Sequence, residues 1–142
     1  MVTNGAVHAL ALVAGLLLRP RHRVVVEHPT YPHAIDLFRS RKVAVLPVAL
    51  TEVGWDVNAL IAAARHADLA YLQPDFNNPT GLLLADEDRA RARLPCTVVV
   101  DETMTELALD GVKALPFAAH HPGAVTIGSA SKTLWGGLRI GP

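Results

Sequence analysis

Apolar residues in this chain fall into short runs of two kinds, and the two kinds alternate. Val7, Leu10, Ala11, Ala14, Leu17 and Leu18 recur at helical spacing, while Leu12, Val13 and Leu16 fill much of the opposite side. The pattern predicts a first helix covered on most of its faces, stopped by Arg19-Pro20. A β-branched run at 23–27 follows, and comparable runs at 43–48, 69–72, 97–100 and 125–127 read as further strands. Segments 34–39, 57–66 and 86–93 read as helices, the second capped by Asp56. The third is polar and gives only about two turns, roughly 12 Å. Residues 52–56 read as a turn, and the segment 74–81 as an irregular loop. Continuous apolar strands separated by helices predict an α/β fold, a three-layer α/β/α sandwich with a mostly parallel sheet. Ligands of such sheets bind beyond the carboxyl ends of the strands, and each motif described below follows a strand.

Composition narrows the classes. With 142 residues the chain is one domain's worth, and 51% of them are hydrophobic, enough for a single core. The formal net charge is zero, so neither nucleic acid nor an acidic membrane surface is an expected partner of this segment. The apolar run at 6–18 is interrupted by His8 and is too short to span a bilayer. It has neither the basic start nor the small-residue cleavage site of a signal peptide and reads as a buried helix; the cysteine usage leaves the compartment open, with a cytoplasmic location as the default expectation. Cys96 is the only cysteine, which excludes an intramolecular disulfide, and its place at the head of a strand marks it as a small core residue. The seven histidines show no metal-ligand spacing, so no metal is expected, and His120-His121 before Pro122 reads as an exposed loop. No Ser-His-Asp order and no phosphate-loop motif is present.

The chemistry gathers near the end of the chain. Lys132 stands between the hydroxyls of Ser129 and Ser131 and the guanidinium of Arg139, with glycines that let backbone come close. A lysine so placed is either a solvated surface amine or one that forms an imine with an aldehyde. The other lysines, Lys42 and Lys113, have no comparable surroundings. Ser129, Ser131 and Arg139 form a candidate phosphate cup, since the guanidinium fork matches two phosphate oxygens. Gly5 and Ala6 open the first helix, whose free N–H groups and dipole favour an anion. Asp101 ends a strand, placed either to pair with a ring nitrogen or to serve as a helix cap or surface acid. Asn78, in Asn78-Pro79-Thr80-Gly81, is either a donor to a phenolic oxygen or part of a plain turn. Tyr31, between two prolines, either covers a ring face or packs on the surface.

Together these motifs resemble the fold-type I pyridoxal-phosphate proteins, the class I/II aminotransferases. Among them the chain is most similar to the aminotransferase-type domain of MocR-like regulators of the GntR superfamily. The matching motifs are Val2 to Ala6, Glu27 to Pro32, Asn78 to Gly81, Asp101 to Met104, and Ser129 to Lys132 with Arg139. The resemblance implies pyridoxal 5'-phosphate as cofactor. Lys132 would carry it as an imine and act as catalytic base, and Asp101 would pair with the pyridine nitrogen. Asn78 would bind the phenolic oxygen and Tyr31 would stack on the ring. Ser129, Ser131, Arg139 and the Gly5-Ala6 backbone would hold the phosphate. The implied activity is amino-group transfer between an amino acid and a 2-oxo acid in a homodimer. The alternative is a non-catalytic cofactor- or effector-sensing domain of a transcriptional regulator.

Three departures qualify the resemblance. Met104 stands where many relatives carry a tyrosine that bonds the phenolic oxygen. The segment between Gly81 and Asp101 is short for the usual helix, so one face of the sheet is expected to be poorly covered. Residues 1–142 read as a single, incomplete large domain that stops at Pro142 within its last strand. The small domain, its carboxylate-clamping arginine and any N-terminal winged-helix domain would then be absent.

Overall fold

A computed structural model of the chain describes residues 1–109, 111–112 and 114–142, leaving Lys113 outside the described residues. Val24, Val25 and Val26 lie at its centre, fully buried in β1 (Arg23–His28). Around β1 are β2 (Ala44–Thr51), β3 (Gly54–Trp55), β4 (Leu69–Leu72), β5 (Thr97–Asp101) and β6 (Val125–Ile127), in the order β3-β2-β1-β4-β5-β6. All neighbours run parallel except β2 and β3, which pair antiparallel. Valines restrict their own backbone to extended conformations and pack well on a pleated surface, which is why the valine runs of β1 and β5 form interior strands.

Although the strand sequences are continuous in hydrophobicity, their side chains divide by the two-residue period of the pleat. Val24, Val26, Leu69, Tyr71 and Val99 pack with α1 (Ala6–Leu17) and α2 (Pro32–Ser40) through Leu10, Ala14 and Phe38. Val25, Ala70, Leu72, Val98 and Val100 face the other way, toward Val57, Leu60 and Ala64 of α3 (Val57–Ala64) and Phe117 of α5 (Phe117–His120). Full burial of Leu60 or Phe117 contributes about 1.5–3 kcal/mol each. The result is the three-layer α/β/α arrangement with a mostly parallel sheet. Asp56 caps α3 as expected, its carboxylate accepting from the Ala59 N–H at 2.9 Å.

Three local expectations change. Residues 52–56 include β3, a two-residue strand closing a hairpin on β2, too short to leave a periodic signal. The polar helix is α4 (Asp86–Arg91), and the face it was expected to leave bare is covered, with Leu84, Leu94 and Phe117 packed over β4 and β5. His120 ends α5, and His121 does not hang in solvent: it stacks on Phe117 at 4.7 Å between ring centroids and bonds the Ala92 carbonyl.

Two features of the topology place the site. After β1 the chain moves to β2 on one side, whereas after β4 it moves to β5 on the other, so β1 and β4 flank the point where the order reverses. Ligand crevices of open α/β sheets form there. The ends of the chain also meet, because the Thr3 N–H donates to the Gly141 carbonyl at 2.8 Å and the Gly141 N–H returns the bond at 3.1 Å. The start of α1 is thereby set against the segment that follows β6.

Candidate active site

The loops leaving β1, β4, β5 and β6 meet over one cavity of about 190 Å³. Tyr31 reaches it from the start of α2, Asn78 from the loop after β4, and Asp101 from the end of β5. Ser129, Ser131, Lys132 and Arg139 enter from the segment after β6, and Ala6 from the first turn of α1. Every residue singled out in the sequence thus lines this space except Gly5, which lies just behind it. Gly5 has φ 85°, a conformation that strains any other residue, and a side chain there would press on the Arg139 guanidinium at 3.3 Å. That guanidinium donates to the Asn4 carbonyl at 3.2 Å. Lys132 is exposed to solvent, and it shares the cavity wall with Asp101, Asn78 and Arg139.

The segment after β6 is shaped locally. Ser129 Oγ donates to Ser131 Oγ at 2.9 Å and accepts the Ser131 N–H at 3.2 Å, which holds the two hydroxyls together. The segment returns to its start through the Ala130 N–H bond to the Ile140 carbonyl at 2.9 Å. Glycine is required at 141, because a side chain there would overlap the Gly128 carbonyl oxygen. Arg139 adopts the left-handed conformation with φ 53°, a cost of about 1–2 kcal/mol for a non-glycine residue.

Asp101 is buried, and both its oxygens are bonded. Oδ1 accepts from the Thr103 N–H at 3.0 Å and Oδ2 from the Tyr71 hydroxyl at 2.8 Å. Burial, reinforced by the Asp101 carboxylate, pushes the Tyr71 phenol well above its ordinary value, so it stays a donor. The Tyr31 phenol is also raised, by burial first and by Asp101 second, against a smaller opposing pull from Arg139.

Beneath the Asn78 loop sits Glu27, which is 1% exposed. It accepts from the Gln73 N–H at 2.8 Å, from Trp55 Nε1 at 3.3 Å and from Asn77 Nδ2 at 3.4 Å. Burial outweighs these donors and raises its carboxyl to about 8, with the Asp101 charge adding to the rise. The far end of the same loop is held by Arg89, whose side chain is wholly inaccessible. Its guanidinium donates to the carbonyls of Leu84, Leu115 and Pro74, and pairs with Asp75 Oδ1 at 2.6 Å. Asp75 Oδ2 takes the Thr105 hydroxyl at 3.0 Å.

The sequence model of the family described as aminotransferase class I and II matches residues 1–141. The chain belongs to that family. It is 34% identical over 152 residues to the 2-aminoadipate transaminase of Thermus thermophilus, covering 99% of this chain and 38% of that enzyme. It is also 30% identical to YdfD of Bacillus subtilis, an uncharacterized HTH-type transcriptional regulator, covering 99% of this chain and 31% of the regulator. Among solved structures it matches LysN, the α-aminoadipate aminotransferase of Thermus thermophilus complexed with N-(5'-phosphopyridoxyl)-L-leucine. The TM-score is 0.87 at 33% identity, covering 99% of this chain and 39% of that one. The chain therefore spans under two-fifths of the length of these aminotransferase relatives.

Several residues at this aminotransferase-family site escaped the sequence. Tyr71, Glu27 and Arg89 lie in runs that read as strand or polar helix, and only their partners reveal them. Tyr71 carried one signal: it is the single polar-tipped residue in the strand 69–72, and a buried phenol needs an acceptor. Gln73 and Thr103 also line the cavity, and Gln73 Oε1 and Thr103 Oγ1 are buried without a protein partner. Among the described residues no cluster of histidine, cysteine and acidic groups could hold a metal, and no helix is long and apolar enough to cross a membrane.

Proposed function

We propose that residues 1–142 form the pyridoxal-phosphate-binding large-domain portion of an aminotransferase that exchanges amino groups between an amino acid and a 2-oxo acid. The observation that carries this reading is the convergence of Lys132, Asp101, Asn78 and Arg139 on one cavity from three separate chain segments. The orphaned Gln73 and Thr103 oxygens suit a polar occupant. An anion cradle of Arg139, the two serines and the first turn of α1 suits its phosphate.

When bound, the cofactor supplies an electron sink for the bond broken at the substrate α-carbon. Lys132 Nζ would hold it covalently and would serve as the base at that carbon. Asp101 would pair with the ring nitrogen. Asn78 would donate to the phenolic oxygen, and Tyr31 would cover a ring face and exclude water. Exposed Leu134 and Trp135 beside the cradle support a homodimer in which a second copy covers them.

Borohydride reduction in the presence of pyridoxal phosphate, followed by peptide mass mapping, is expected to place the pyridoxyl group on Lys132. The chain has only three lysines, so the digest is unambiguous; a label on Lys42 or Lys113, or none, overturns the assignment.

Met104 lines the cavity and its thioether donates no hydrogen bond. Met104→Tyr is expected to lower the pH midpoint of the bound cofactor's absorbance change by about one unit, because a phenol donor stabilises the ring's phenolate. A midpoint that stays put or rises counts against Met104 facing that oxygen.

Similarity to the regulator YdfD supports a second reading, a sensing domain that binds cofactor or effector without turnover. Single-turnover mixing with amino acids separates the two. The transaminase releases a 2-oxo acid stoichiometric with cofactor, and the sensor shows a binding spectrum alone.

A further inference from the structure

Asp101 is positioned from below as well as from the cavity. The Tyr71 side chain lies on the same sheet face, since Tyr71 pairs in register with Val99, two residues before Asp101. Tyr71 is fully buried and meets Phe38 edge-on, with centroids 5.9 Å apart and planes at 69°. Packing therefore fixes the ring, and its hydroxyl meets Asp101 Oδ2 at 2.8 Å. The Thr103 N–H fixes the other oxygen, so the carboxylate plane has one orientation. A buried carboxylate without such donors would take up a proton instead of staying charged.

We propose that Tyr71 is a positioning residue whose hydroxyl holds the Asp101 carboxylate aimed at the ring nitrogen of the cofactor. This rests on the pyridoxal-phosphate reading above. Withdrawing the hydroxyl frees one Asp101 oxygen to turn, and the charge-assisted bond that keeps the ring nitrogen protonated weakens. Tyr71 touches neither cofactor nor substrate; it acts through Asp101.

The test uses the whole chain and pyridoxal phosphate labelled with ¹⁵N in the ring. In Tyr71→Phe the ring-nitrogen resonance is expected to move toward its unprotonated position, and the cofactor Kd to rise roughly tenfold. In an Asp101→Asn background the same substitution is expected to change neither quantity, because the acceptor it serves is gone. Replacing the chain's tyrosines with 3-fluorotyrosine, a stronger donor, is expected to leave the nitrogen protonated, and it covers the case in which Tyr71→Phe does not fold. Wild-type chain that binds while Tyr71→Phe, or the fluorinated chain, departs from these results overturns the role of Tyr71 alone. A uniform loss in both backgrounds assigns Tyr71 to packing and also overturns it. A wild-type chain that takes up no cofactor overturns the cofactor reading and this proposal with it.

Discussion

Replacing Arg89 with methionine is expected to cost about 3–5 kcal/mol of folding stability, read as a drop in the urea midpoint without a matching change in slope. The size follows from what remains behind. Asp75 is 3% exposed, and without the guanidinium it keeps only the Thr105 hydroxyl against a buried negative charge. The carbonyls of Leu84 and Leu115 lose the guanidinium at the same time, while that of Pro74 keeps the Leu84 N–H at 2.8 Å. Against a net stability of about 5–15 kcal/mol for a whole domain, one such loss removes from about a fifth to nearly all of it. Arg89→Met combined with Asp75→Leu is expected to regain a large part of the loss, since the stranded charge goes with it. A double variant no more stable than Arg89→Met alone would show that the carbonyl bonds dominate.

The second large effect is a pH dependence centred on Glu27. Its carboxyl titrates at about 8 in the folded chain against an ordinary value of 4.5, so the folded state holds a proton that the unfolded state releases. Between these values the unfolded chain binds fewer protons, and stability therefore falls as pH rises, by up to about 1.4 kcal/mol per unit. The stabilisation is complete below the lower value and gone above the upper one. Glu102 is raised by burial and adds a slope of the same sign, whereas His121, lowered by burial, opposes it. The clean measurement is the difference between wild type and Glu27→Gln in urea titrations from about pH 4 to 9. The variant is expected to flatten the decline between the two carboxyl values, and equal slopes would show that Glu27 stays charged in the folded chain.

Much of this was legible before any coordinates. Interior strands announce themselves as nearly unbroken apolar runs, because burial on both faces removes the polar half of the alternation. That Lys132, Asn78 and Asp101 share one cavity was legible for a related reason: each stands at or after a strand's carboxyl end, and a parallel sheet gathers such positions along one edge. What stayed hidden depends on contacts far apart in sequence. Nothing near Arg89 says that a helix with acids and arginines on it turns one guanidinium fully inward. Nothing near Glu27 distinguishes a sealed carboxyl from a strand-end acid until Gln73, Asn77 and Trp55 are known to surround it. β3 was missed because two residues cannot show a period.

The clasp between Thr3 and Gly141 carries a consequence for biogenesis. One side of the anion cradle is translated before β1, and the other only after β6. A nascent chain can therefore assemble its sheet while the cavity still lacks the wall that follows β6. On the cofactor reading proposed above, a protease nick between Ser131 and Arg139 would loosen the hold on a phosphate while leaving the central strands in place.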